Sequence, residues 1–145
     1  TDEIEINSLS GKVTVTGFAT GDLLDVQQAL TDGAESAITS TASSANNIAT
    51  DYTVVSTLNA STTSVLTAGS QTIADFTDTT DVAAYLEEGF TVSTTEEFYF
   101  VLNDGTNSYG YMVVETADAT IDANEVVLSA VINNYVLAAA DVVQS

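Results

Sequence analysis

Glu97-Phe98-Tyr99-Phe100-Val101-Leu102-Asn103-Asp104-Gly105-Thr106-Asn107-Ser108-Tyr109-Gly110-Tyr111-Met112-Val113-Val114-Glu115 is the stretch that decides the fold class. Two aromatic and β-branched runs, Phe98 to Leu102 and Tyr109 to Val114, flank six residues suited to reversing the chain. Asn and Asp bond to their own backbone, and Gly supplies a positive φ. This order predicts a β-hairpin. Its aromatics Phe98, Tyr99, Phe100, Tyr109 and Tyr111 alternate across the strands. One face is expected in the core and the other in cross-strand or intersubunit contacts.

Outward from the hairpin, Asp81-Val82-Ala83-Ala84-Tyr85-Leu86-Glu87-Glu88-Gly89 reads as a helix. Thr79, Thr80 or Asp81 can cap its start, Val82, Tyr85 and Leu86 share a face, and Gly89 stands where a helix ends. Downstream, a link over 116–124 leads to Glu125-Val126-Val127-Leu128-Ser129-Ala130-Val131-Ile132. That strand is apolar on both faces and belongs at the centre of a sheet. Asn133-Asn134-Tyr135 reads as a turn, and 136–143 as a short helix or an extended tail.

Upstream, Glu3-Ile4-Glu5-Ile6-Asn7 and Lys12-Val13-Thr14-Val15-Thr16-Gly17-Phe18 alternate as half-buried strands do. They form either a hairpin or a strand preceded by an arm. Residues 1–10 are then an edge strand, or one donated to a neighbour's sheet. Asp22 is placed to cap a helix carrying Leu23, Leu24, Val26, Gln27 and Leu30. Residues 34–48 read as irregular. Asp51 to Leu58 reads as a strand, with Ser64-Val65-Leu66 and Gln71 to Phe76 as two shorter ones. The expected fold is one domain over 1–145, mainly β or α+β. It is a sandwich-like or rolled antiparallel sheet with one or two short helices.

Charge bounds the function. The chain has 21 carboxylates against one cation, Lys12, and a net charge of −20, yet 45% of its residues are apolar. It therefore has the means to bury a core and is not a disordered acidic tail. Binding nucleic acid requires cations that displace counterions from phosphates, so that class is excluded, as are anionic membrane surfaces. No run approaches the ~20 apolar residues of a membrane span, so membrane insertion is not expected. Without Cys or His, thiolate and imidazole metal sites and the Ser-His-Asp and Cys-His systems cannot be built. Proline is also absent, so Gly, Asn, Asp, Ser and Thr must shape the loops. A Thr/Ser/Val/Ala-rich chain that opens on Thr1 is expected to be a processed or excised piece of an extracellular or cell-surface protein.

Two segments carry a family resemblance. Val13-Thr14-Val15-Thr16-Gly17-Phe18-Ala19-Thr20-Gly21-Asp22-Leu23-Leu24-Asp25-Val26 resembles a phrase near the ends of RTX-type secreted and bacterial surface-layer proteins. Asp81 to Glu88, Phe98 to Val114 and Asp122 to Ile132 resemble their unit of short helix, Asp-Gly hairpin, acidic loop and apolar strand. The tail from Asn134 to Asp141 is similar to their endings. The glycine- and aspartate-rich nonapeptides of the calcium β-roll are missing. The resemblance implies the non-repeat, C-terminal-type part of such a protein, with surface display, type I secretion and calcium dependence.

Ca²⁺ is the expected cofactor, because hard cations take oxygen ligands. Asp118, Thr120, Asp122, Asn124 and Glu125 alternate along one link, although the glycine and distal glutamate of an EF-hand are not in place. Asp104 with Asn103 and Asn107 is a second candidate, and Asp75 with Asp78 a third. Lys12 is weighed as the amine of an isopeptide bond, which needs an apolar site. Asn59-Ala60-Ser61 is a glycosylation sequon or an ordinary polar turn. Some carboxylate pair with glycosidase spacing is inevitable among so many, but there is no Trp platform for a sugar. The expected role is non-enzymatic: a secreted subunit that forms a homo-oligomer or polymer through β-edge contacts, stabilised by divalent cations. Ile4, Ile6, Tyr109 and Tyr111 are the expected assembly contacts. The alternative is an adhesin or secretion-anchoring domain of a larger RTX-type protein.

Overall fold

The computed structural model describes residues 2–6, 11–26, 38–41, 46–48, 52–63, 71–92, 97–116, 118 and 120–143, with backbone alone at 38–41, 46–48, 52, 91 and 92. The strands are β1 (Glu3–Glu5), β2 (Val13–Val15), β3 (Leu23–Asp25), β4 (Ile38–Thr41), β5 (Asn46–Ile48), β6 (Tyr52–Asn59), β7 (Phe90–Val92), β8 (Glu97–Asn103), β9 (Ser108–Val114), β10 (Val126–Ile132) and β11 (Val142–Val143). The helix α1 (Thr79–Gly89) precedes β7, and a 3-10 turn (Ala139–Asp141) precedes β11.

A six-stranded sheet, in the order β2-β10-β9-β8-β6-β4, forms the middle layer. The mainly β, sandwich-like expectation holds. One face of this sheet receives α1 and the segment around Ile73 and Phe76, and the other receives a three-stranded sheet, β1-β3-β11. A separate pair joins β5 and β7. Among the described residues, antiparallel pairing is confined to β8-β9-β10, and every other ladder is parallel. The antiparallel expectation is corrected to that extent. Residue alternation reports which face a side chain takes, not which way the neighbouring strand runs.

Burial on both faces explains the composition of the hairpin. Parallel and mixed sheets covered on both sides read as continuous apolar runs. In β8, Phe98, Phe100 and Leu102 enter the helix-side core, while Tyr99 and Val101 enter the other. In β9, Tyr111 and Val113 oppose Met112 in the same way. Neither hairpin face is therefore left for a partner. In β10 the parity switches: Val126 and Leu128 pack on the helix side, Ala130 and Ile132 on the other. A register shift between Leu128 and Ala130 produces the switch. The extra residue of a bulge exchanges the faces of everything after it.

Ser129 stands at that bulge, and its hydroxyl donates to the Gly110 carbonyl at 3.2 Å. Its single proton is thereby spent, so the buried Tyr99 hydroxyl donates to Ser129 Oγ at 2.8 Å. A Cβ at Gly110 would collide with Tyr99 Oη, so glycine is needed for Tyr99 to cross β9. Burial pushes the Tyr99 phenol well above its ordinary range.

Helix α1 is capped by Asp78, which accepts from Thr80 N–H at 2.9 Å, rather than by Thr79, Thr80 or Asp81. It buries Val82, Ala83, Tyr85, Leu86 and Gly89. The expected helix from Leu23 is not formed at its start, where β3 runs between β1 and β11; residues 27–33 of that expectation lie outside the described residues. Leu24 and Val26 are fully buried, and the gain from sheet pairing outweighs a weak helical stripe. β1 and β2 do not form a hairpin, because they belong to different sheets. Gln71 to Phe76 is an irregular segment rather than a strand, docked by Ile73 N–H on the Ala60 carbonyl at 2.8 Å. Strands β4 and β5 replace part of the irregular 34–48, and the expected strand at 64–66 lies outside the described residues.

Candidate functional site

The oxygen-rich loops are where calcium was expected, and their carboxylates accept hydrogen bonds within the loops. In the hairpin turn, Asp104 Oδ1 accepts from Thr106 N–H at 2.8 Å and Asn107 N–H at 2.7 Å. Its Oδ2 accepts from Asn107 Nδ2 at 2.9 Å and from the Tyr109 hydroxyl at 2.8 Å. Burial alone would raise this carboxyl, but the four donors together hold it below the usual range. Burial and the Asp104 contact push Tyr109 up to about 12.

Around that turn the loop ties three segments together. Asn103 Nδ2 donates to the Ser56 and Leu58 carbonyls at 3.0 and 2.9 Å, fixing the end of β6. Asn107 Oδ1 accepts from Asn134 N–H at 2.9 Å. The Ser108 hydroxyl donates to the Tyr135 carbonyl and accepts from Leu137 N–H, at 3.1 and 2.8 Å. Gly105, at φ 88°, sits where a side chain would meet Asn59. Asn59 itself accepts from Ser61 N–H and Oγ, at 3.0 and 2.6 Å, so its sequon is folded as a polar turn.

The 116–125 link is built alike. Glu125 Oε1 accepts from Thr116 N–H and Oγ1 at 3.0 and 2.7 Å, and its Oε2 accepts from Asp122 N–H at 3.1 Å. Burial opposes ionisation here, yet these donors outweigh it and hold the carboxyl low. Asp118 accepts from Thr120 N–H and Oγ1, which lower it. Asp75 does the same with Thr77, at 2.8 and 2.6 Å. Asp-x-Thr thus recurs at 75–77, 78–80, 104–106 and 118–120 as the loop-forming device of a chain without proline.

Of the expected ligands, Asp122 lends Glu125 its N–H, Asn124 is exposed in the turn before β10, and Asp104 lies in a different loop. Among the described residues, no three Asp or Glu side chains come together in a way that could hold an ion.

Two of the four expected assembly contacts lie inside the chain, and Ile4 and Tyr109 are half-buried. Ile6 and Tyr111 are buried, at 2% and 0% exposure, so they face no partner in this fold. The Tyr111 hydroxyl donates to the Phe76 carbonyl at 2.7 Å. Tyr109 stacks on Phe76 with ring centroids 4.4 Å apart, and Ile4 packs against the second core. Lys12 is exposed, which removes the apolar site an isopeptide bond requires.

Strands β1, β2, β4 and β11 stand at the margins of the two larger sheets. Among the described residues β1 pairs with β3 alone, and it is docked by Asp22, whose carboxylate accepts from Asp2 N–H at 2.9 Å and Ala19 N–H at 3.0 Å. These bonds, Asp2 first, lower the Asp22 carboxyl. Among the described residues β2 pairs with β10 alone. Val15 accepts from Asn133 N–H at 2.9 Å, so the odd residues of β2 turn their backbone groups inward. The N–H and C=O of Thr14 therefore point outward, and Thr14 is exposed. In β1, Ile6 donates to Asp25 and Asp2 accepts from Leu23, which leaves the backbone groups of Glu3 outward.

No protein-family model matches the chain, and no curated protein or solved structure is detectably similar to it. The reading of the site rests on its own geometry. Sequence reasoning missed Asp22 as a strand anchor, the Tyr99–Ser129–Gly110 relay and the orientation of β2. Two signals were present: a lone Ser in an apolar strand, and a Gly between two tyrosines.

Proposed function

We propose that this chain is a non-enzymatic structural domain of an extracellular or cell-surface assembly, joined to further copies of itself through open sheet edges. The observation that carries this is that β1 and β2 lie at sheet margins, each bonded on one side among the described residues. Unpaired N–H and C=O groups along an edge are a template for another strand. The side chains that would otherwise bring chemistry support the same reading. Asp104, Asp118 and Glu125 are engaged in holding loops.

Divalent cations enter this proposal as counterions, not as a ligated centre. A chain at −20 resists close packing of copies until its charge is screened. Negative-stain electron microscopy of the chain with millimolar Ca²⁺, and again with chelator, tests the proposal. Ordered assemblies that loosen in chelator at low ionic strength are expected. A monomer under both conditions at high protein concentration refutes it.

A further inference from the structure

Of the sheet margins, β4 is described by its backbone alone and β11 is two residues long. β1 and β2 differ in charge, and the difference favours β2. The β1 edge carries Asp2, Glu3 and Glu5. The β2 edge carries none: no Asp or Glu occurs between residues 6 and 21, nor between 126 and 140, which spans the neighbouring β10. The sole cation, Lys12, precedes β2 directly. At physiological salt, charges beyond about 8 Å are largely screened. What a docking copy meets is therefore the local charge of the edge, not the net charge of the chain.

The sequence Lys12-Val13-Thr14-Val15-Thr16 is also suited to pairing with itself. Resting on the edge-association reading above, we infer that β2 pairs antiparallel with the β2 of a second copy about a two-fold axis at Thr14. Thr14 then faces Thr14 of the partner, exchanging both backbone bonds, as the alternation of an antiparallel ladder requires. Lys12 faces Thr16 of the partner at each end, where the outward backbone groups have the same parity. The two lysines lie at opposite ends of the ladder and do not oppose each other. Val13 lies across from Val15 of the partner, on the face where both already pack against the second core. Cross-strand β-branched pairs of this kind stabilise sheets. The contact is isologous and closed, and joins two six-stranded sheets into one. The acidic β1 edges are left for slower, cation-dependent growth.

Sedimentation velocity of the full chain at physiological salt, across protein concentration, tests this with three variants. Thr14→Pro removes an N–H that no intrachain bond uses, and proline is tolerated at such edge positions. It is expected to raise the dimer dissociation constant by at least about tenfold. Lys12→Glu leaves the backbone ladder intact and is expected to weaken the dimer with a dependence on salt. Glu3→Pro, at the other edge, is expected to leave the dimer unchanged. If Thr14→Pro and Lys12→Glu both associate like the wild type while Glu3→Pro does not, the β2 contact is wrong and edge association stands. A wild type that remains monomeric throughout overturns both. Should Thr14→Pro fail to fold by circular dichroism, Lys12→Glu against Glu3→Pro decides alone.

Discussion

β9 and β2 lie on either side of β10 in one sheet, and they are opposite kinds of strand. β9 is bonded on both sides and buried over most of its length on both faces. β2 is bonded on one side, has Val13 and Val15 half-buried, and leaves Thr14 exposed. A single glycine makes room in β9 for Tyr99, whereas nothing among the described residues crosses the outer side of β2. The contrast teaches that the same β-branched and aromatic vocabulary builds an interior and an edge. What separates them is polar alternation, with Thr14 exposed between the half-buried Val13 and Val15.

The comparison breaks most severely at its buried end. Phe100 is fully buried beside Phe90, with ring centroids 5.0 Å apart. Phe100→Ala is expected to cost about 3–5 kcal/mol in denaturant unfolding. Gly110→Ala comes next, at about 1–3 kcal/mol, because Tyr99 must be displaced from Ser129. Adding Tyr99→Phe should recover part of that loss, since it removes the colliding oxygen; a purely additive double-mutant cycle would disprove the relay.

Loop carboxylates come third. Asp104→Ala loses four acceptor contacts, and for a part-exposed group about 1–2 kcal/mol is expected. Asp22, Asp75, Asp104, Asp118 and Glu125 are all held below their ordinary range. Depressed carboxyls contribute stability that is present above the unfolded values, about 4, and is lost as pH falls through the folded ones. The thermal midpoint should therefore drop as pH falls below about 4, even though protonation relieves the net negative charge. Asp104→Asn should flatten that drop, as calorimetry across pH would register. Smallest of all, Thr14→Pro should change monomer stability by less than about 1 kcal/mol while altering association, because the N–H it removes faces solvent.

Much of the fold was legible because the local signals agreed with the global structure. The hairpin, helix α1 and β10 follow from apolar runs bounded by Asn, Asp and Gly. β3 was not legible, since Leu23, Leu24 and Val26 fit a helical stripe as well as a strand, and only β1 and β11 decide between them. Parallel pairing was hidden for the same reason: partners far apart in sequence leave no local mark. The acidic loops showed where oxygen atoms gather, but not that backbone N–H groups would claim them. For Asp104 and Glu125 the Thr and Asn neighbours were the overlooked signal, because they supply the donors.

Amide hydrogen exchange on β2, followed as protein concentration rises, tests edge association most directly. In the dilute monomer, Val15 should exchange slowly and Thr14 fast, because their N–H groups face opposite sides of the strand. On association, Thr14 and Thr16 should become protected while Glu3 stays fast at low divalent-cation concentration. Particle mass that grows while Thr14 remains fast, or mass that never grows, would contradict the account.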